Sequence, residues 1–156
     1  MNTPHTVNTF LVQKSDLSQT QLASSAAAPL QSGQVRLRID LFSLTANNIT
    51  YASFGDAMSY WNFYPRGDVW GVIPVWGFAN VTESLCEGVS VGERFYGYFP
   101  TANEVILTPA RVAPTGFSVS DGPRSKLAAV YNSYSNCAAD PFYAHGSEAV
   151  FVRLHA

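Results

Sequence analysis

The stretch from Trp70 to Pro100, WGVIPVWGFANVTESLCEGVSVGERFYGYFP, limits the fold more than any other part of the chain. Its first run, Val72 to Ser84, is rich in Val, Ile, Trp and Phe, residue types that suit a pleated surface. Gly71 and Gly77 interrupt it, as glycines do at bulges and where backbones approach closely. Cys86-Glu87-Gly88 supplies a turn, Val89 and Val91 resume an alternating pattern, and Gly92-Glu93 turns the chain again into Arg94 to Phe99. The expectation is a compact, bulged antiparallel unit. A helix through it would be inconsistent with this pattern.

The flanking segments extend the same theme. Gln34 to Leu44 alternates cleanly, with Val35, Leu37, Ile39 and Leu41 on one face and Arg36, Arg38 and Asp40 on the other, which predicts a half-buried strand. Thr6 to Val12 reads as a first strand. Ser15 to Ser32 is rich in Ser, Ala, Gln and Thr and reads as a surface connection with room for a helical turn. Thr45-Ala46-Asn47-Asn48 breaks the strand pattern with short polar side chains that can cap a short helix. Pro65 to Asp68 is a turn, and Glu104 to Val112 is another strand, with Pro109 marking an edge or bulge. Arg124 to Ala139 is predicted to be a helix, because Leu127, Val130, Tyr131 and Tyr134 recur at helical spacing. Asp140-Pro141 ends it. The remaining residues to Ala156 show no clear pattern.

A length of 156 residues fits one domain with a proper core. The net charge is -2 and the chain contains just two lysines, Lys14 and Lys126, so a basic nucleic-acid footprint is excluded. Charged residues make up 13%, against about 25% in ordinary domains. Such a shortfall is expected where part of the surface meets a second domain or another copy. Cys86 and Cys137 lack paired spacing and read as small apolar residues. No apolar run is long enough to span a membrane and no signal-peptide core opens the chain, which makes the cytoplasm the default setting.

The run Gly77-Phe78-Ala79-Asn80-Val81-Thr82-Glu83-Ser84, followed by Gly88-Val89 and by Val91-Gly92-Glu93-Arg94-Phe95-Tyr96-Gly97, resembles the N-terminal domain of the medium-chain dehydrogenases/reductases. The resemblance spans Gly33 to about Ala139 and is nearest the zinc-independent, quinone-oxidoreductase-like branch, within a group of unassigned function. It implies a mostly β fold, a GroES-like, partly open antiparallel barrel with one or two helices, the C-terminal one near 124–139. It also implies a catalytic-side domain over 1–139 and a tail over 140–156, with the nucleotide-binding half expected just where the chain stops. After the long strand the family carries an Asn-x-x-Asp motif facing nicotinamide and substrate. Two registers are possible here, Asn47 with Thr50 as cofactor contacts or Asn48 with Tyr51, and neither keeps the acidic residue.

The chemistry is narrowed by what is missing. A dinucleotide fold needs Gly-x-Gly-x-x-Gly between strand and helix, and Gly116, Gly122 and Gly146 stand alone. The chain alone is therefore expected to hold no cofactor, while NAD(P)H is implied for a complete two-domain relative. No metal is expected, since a zinc site needs convergent ligands and His5, His145 and His155 all lie near the termini. The position where zinc-dependent relatives carry Gly-His-Glu reads Trp76-Gly77-Phe78. Proton transfer then falls to tyrosine. Well over half of the Phe, Trp and Tyr residues lie between Tyr51 and Phe99, which fits either an apolar cleft with polar handles or a core. Tyr51 is the candidate catalytic residue, with Asn48, Tyr64 and Trp76 bordering a small hydrophobic substrate. Two functions stay open: a truncated or divergent zinc-independent NAD(P)H-dependent oxidoreductase module, reducing a carbonyl or activated alkene in its complete form, and a non-enzymatic binding or oligomerisation module using an aromatic face.

Overall fold

A computed structural model describes residues 5–148. The protein is mostly β, built on two antiparallel sheets. The smaller holds β1 (Thr6–Gln13), β2 (Asp16–Ala26) and β4 (Trp70–Gly71) in the order β2-β1-β4. The larger has seven strands in the order β7-β3-β5-β6-β10-β9-β8. These are β3 (Val35–Phe42), β5 (Pro74–Ser84), β6 (Arg94–Pro100), β7 (Glu104–Leu107), β8 (Ala110–Ala113), β9 (Gly116–Ser118) and β10 (Ser133–Asn136).

The chain connectivity shows how this sheet curls. Strands β7 and β8 lie at its two opposite edges, yet Thr108 and Pro109 alone connect them. A sheet whose edges are tied by so short a link must bend round on itself, and the result is a partly open barrel. Pro109 has no N–H to give to a ladder, so the strand expected over 104–112 divides there. Inside the curl sit Val35, Leu37, Val81, Phe95, Phe99, Phe117 and Tyr134, all buried. The alternation of β3 therefore aims as expected.

Three features depart from the sequence reading. The segment Ser15 to Ser32, expected to be a connection, carries the 11-residue strand β2. It pairs with β1 over its whole length, Phe10 facing Leu22 and Val7 facing Ser25. Its burial is low throughout, so no alternating apolar residues announce it; the ladder to β1 makes it a strand. The helix expected over 124–139 is absent. In its place stand 3-10 turns at Gly122–Lys126, Ala129–Asn132 and Cys137–Ala139 around strand β10. Ser, Asn and Tyr are weak helix formers, and Tyr134 and Asn136 are buried while Ser133 and Ser135 are exposed, which is the period of a strand. Val130, counted on the helical face, is 61% exposed. Finally, the polar face of β3 is not open to solvent at Arg36. The guanidinium bonds Glu104 at 2.7 Å, Glu83 at 3.1 Å and the Ala28 carbonyl at 2.5 Å. The remaining carboxylate oxygen of Glu104 meets His5.

The helix α1 (Ala46–Ser53) leaves the barrel directly after β3. Thr45 caps it: its hydroxyl accepts from the Asn47 N–H, while the Asn48 side chain returns to accept from the Thr45 N–H at 2.7 Å. The tail does not hang free over its described part. Tyr143 packs on Phe78 and donates to Glu148 at 2.6 Å. Residues 149–156, including His155, lie outside the described residues.

Gly77 shows why the bulged unit needs its glycines. It pairs with Phe42 on one side and Gly97 on the other, and a Cβ there would run into the Leu41 carbonyl oxygen and the Phe42 backbone. Gly77→Ala is expected to cost about 1–3 kcal/mol by forcing β3 and β5 apart. An unchanged urea midpoint would show that the two strands can yield without loss.

Candidate functional site

Three expected site residues meet on one aromatic cluster. Tyr60, Phe63 and Tyr98 form its buried centre, and Tyr51, Tyr64, Trp76 and Tyr131 pack against it. Helix α1 carries Tyr51, the 3-10 turn Tyr60–Asn62 carries Tyr60, β5 carries Trp76 and β6 carries Tyr98. Trp76 and Tyr98 are direct cross-strand partners, and their rings lie 5.0 Å apart. Tyr51 approaches Tyr60 at 4.9 Å and meets Tyr98 edge-on at 5.6 Å. Tyr131 completes the box, 4.8 Å from Tyr98 and 5.8 Å from Trp76. Tyr51, Trp76 and Tyr131 are each half-buried, so this rim reaches solvent.

The other expected residues take different positions. Asn48 is buried, its amide donating to the Pro74 carbonyl at 3.0 Å and its oxygen closing the helix cap. It fixes α1 on the end of β5. Asn47 and Thr50 are exposed on α1. Tyr64 shares the cluster through its ring, while its hydroxyl points inward, donating to the Tyr98 carbonyl at 2.6 Å beside the Tyr134 hydroxyl at 3.1 Å. Burial holds its pKa well above that of an ordinary phenol.

Tyr98 and Tyr131 were not singled out by sequence. The signal for Tyr98 was present: in RFYGYFP the alternation sets Tyr96 and Tyr98 on one face, opposite Trp76 and Phe78. Tyr131 was concealed by the expected helix. Tyr98 is fully buried, and its hydroxyl lies within reach of the Tyr51 hydroxyl. Its backbone is held firmly. The carbonyl accepts from both Tyr64 and Tyr134, and Arg124 donates to Tyr134 at 2.9 Å while stacking over the Tyr64 ring at 5.2 Å.

The electrostatics of the box are those of neutral phenols. Burial raises the pKa of Tyr51 above the ordinary value, with donors on Trp76 and Tyr98 pulling part of the way back. Burial likewise raises Tyr98 and Tyr131. The Tyr51, Tyr98 and Tyr131 phenols are therefore protonated at neutral pH and can donate.

Among the described residues no three His, Cys, Asp or Glu side chains converge as a metal site would require. At the start of α1 the Asn47 N–H donates to the Thr45 hydroxyl, and the side chains of Asn47 and Thr50 are exposed. Among the described residues no helix is long and apolar enough to cross a membrane.

Concave regions lie elsewhere on the protein, the first of them reaching Tyr64. A cavity of about 280 Å³ between the two sheets is lined by Arg36, Glu104 and Arg66 among others. An open cleft beside Arg94 and Glu148 and an apolar groove beside Phe10 and Leu22 are on the surface.

The family described as "Protein of unknown function (DUF2855)" matches residues 42–155. The chain belongs to the DUF2855 family. The match begins at the last residue of β3 and takes in α1, the aromatic box and the strands that close the barrel, and it leaves out β1 and β2. No curated protein matches the chain.

Proposed function

We propose that this DUF2855 protein is the substrate-side domain of a zinc-independent, NAD(P)H-dependent reductase of the medium-chain dehydrogenase/reductase type, with a GroES-like barrel. The reaction class is reduction of a carbonyl or an activated alkene. One observation carries the reading: Tyr51 stands where the chain leaves β3, half-buried against Trp76 and the Tyr98 phenol, with its hydroxyl held protonated by burial. NAD(P)H, held by a separate nucleotide-binding domain, would supply the hydride. This chain's part is to shelter an apolar substrate against Trp76 and Tyr131 and to protonate it from Tyr51. Neither Asn47 nor Thr50 is bonded tightly, so both are available to a nicotinamide edge. A cytoplasmic setting belongs to the same reading, and the free thiols Cys86 and Cys137 suit it.

The test is NAD(P)H consumption against flat enones and quinones, run with the chain as given and with the chain extended along its own reading frame past Ala156. Turnover dependent on both nucleotide and enone supports the reading. Its absence from both proteins removes it.

A second reading, a binding or oligomerisation module, is favoured by a separate observation. Leu22 is 67% exposed and Leu44 67% exposed beside Phe10 and Phe42, around an apolar groove of about 400 Å³. Apolar patches of this kind mark contact surfaces. The protein is expected to bind a hydrophobic dye or to self-associate, and Leu22→Lys to weaken both. A monodisperse monomer that leaves the dye dark would remove this reading.

A further inference from the structure

Strand β2 is the one long sheet edge among the described residues. The other edge strands are short, β4 with 2 residues and β7 and β8 with 4 each, whereas β2 runs for 11. Short edge strands, lysines, prolines and bulges are what keep a sheet edge from pairing with another chain. Asp16 to Ala26 holds no Lys, Arg or Pro, and its register with β1 is regular from Thr6 to Val12.

The direction of the open backbone groups follows from β1. The Phe10 N–H donates to the Thr101 carbonyl at 2.8 Å, and the Asn103 N–H donates to the Asn8 carbonyl at 3.1 Å, so Asn8 and Phe10 bond away from β2. Val7, Thr9 and Leu11 then bond to their partners Ser25, Ala23 and Gln21. The residues between them, Thr20, Leu22 and Ser24, turn their N–H and C=O groups outward to the free edge. Leu22 faces Phe10, so its side chain shares that face of the sheet, where Leu22 is 67% and Phe10 39% exposed. Gln19, Gln21 and Ser25 on the opposite face are exposed as well, so β2 overhangs the barrel and its edge is accessible.

We infer that β2 of one copy pairs antiparallel with β2 of a second copy, about a two-fold axis at Leu22. This deepens the second reading above and rests on it, naming the chain itself as the partner. The strand is complementary to itself in this register. Leu22 meets Leu22, Thr20 meets Ser24 and Ser18 meets Ala26. Each outward N–H finds a carbonyl of the second copy, and Phe10, Leu22, Leu22 and Phe10 form one apolar row across four strands. Asp16 is the sole charge on β2, and the axis sets its two copies at opposite ends, roughly 40 Å apart.

Sedimentation velocity over a concentration series is expected to show a monomer–dimer equilibrium. Thr20→Pro removes an N–H that faces away from β1, so the urea midpoint should hold while the dimer weakens about tenfold or more. Leu22→Cys should give a covalent dimer on mild oxidation, since directly opposed residues lie about 5.5 Å apart between Cα atoms. Gln19→Cys, whose two copies would be roughly 20 Å apart, should not, and neither should the parent with Cys86 and Cys137. A protein that stays monomeric but lights the hydrophobic dye overturns the inference and leaves the second reading standing. So does a dimer indifferent to Thr20→Pro, or one that cross-links at Gln19→Cys as readily as at Leu22→Cys. A monomer that leaves the dye dark removes both.

Discussion

Arg36→Met should destabilise the protein by about 3–5 kcal/mol, the usual penalty for breaking a buried ion pair from one side. Arg36 is 8% exposed and Glu104 is 6% exposed. With the guanidinium gone, the Glu104 carboxylate stays in the gap between the two sheets and keeps His5 as its one side-chain partner among the described residues. The Ala28 carbonyl loses its donor as well. Glu83 matters less, because half its side chain is in water. The cost is large against a total stability of about 5–15 kcal/mol. The double variant Arg36→Met, Glu104→Leu removes the stranded charge together with its partner and should recover much of the loss. Urea unfolding of the parent protein and the two variants decides the matter. A single-variant loss below about 1 kcal/mol would mean that water reaches Glu104 between the sheets.

That ion pair also shows where the sequence was sufficient and where it was not. The pattern of β3 reported its direction and its buried face correctly, because alternation is a local property. It labelled Arg36 as solvent-facing, since nothing in residues 34–44 can tell that the β1–β2 hairpin lies over that face. The hairpin itself was half legible. Thr6 to Val12 has the β-forming residues of a strand, but Asp16 to Ala26 is held by backbone pairing to β1 and carries little apolar alternation of its own. The unit from Trp70 to Pro100 was legible because its glycines mark real contacts: Gly77 presses on the β3 backbone and Gly97 lies under the Tyr134 ring.

The C-terminal error has a different cause. Leu127, Val130, Tyr131 and Tyr134 fit a helical period by spacing alone, whereas the composition around them favours turns and a short strand. The strand wins because the edge of β6 is open there, and Ser135 and Asn136 pair with Tyr96 and Phe95. Losing that helix is what brings Tyr131 to the box. The candidate site was legible in part for the same reason. Tyr51, Tyr64 and Trp76, expected together from their place in the chain, share one aromatic cluster. Asn48, expected beside them, instead bonds the Thr45 N–H and the Pro74 carbonyl, two partners that appear once the helix has docked.

Under the proposed reductase reading, with Tyr51 as the proton donor, Tyr51→Phe is the substitution with the largest expected effect on turnover. The phenylalanine keeps the ring contacts with Tyr60 and Tyr98 and removes one oxygen, so stability should change little. Loss of a positioned general acid typically costs 10²–10⁴-fold, and a fall of about that size in kcat is expected for NAD(P)H-dependent reduction, with KM for an apolar substrate nearly unchanged. The pH profile supplies an independent check. Burial places the Tyr51 pKa above the ordinary phenol value, about 10. The acid is therefore present throughout the neutral range, and its contribution is lost as pH rises through that raised value. The parent rate should be flat with respect to this group from neutral to mildly alkaline pH and should fall beyond. The Tyr51→Phe residual rate should lack that alkaline fall. Tyr98→Phe removes a donor that favours the Tyr51 phenolate, so it should move the fall to still higher pH. A parent enzyme whose rate drops between pH 6 and 7 would point to a histidine, and a Tyr51→Phe variant with full turnover would take the proton donor away from α1 altogether.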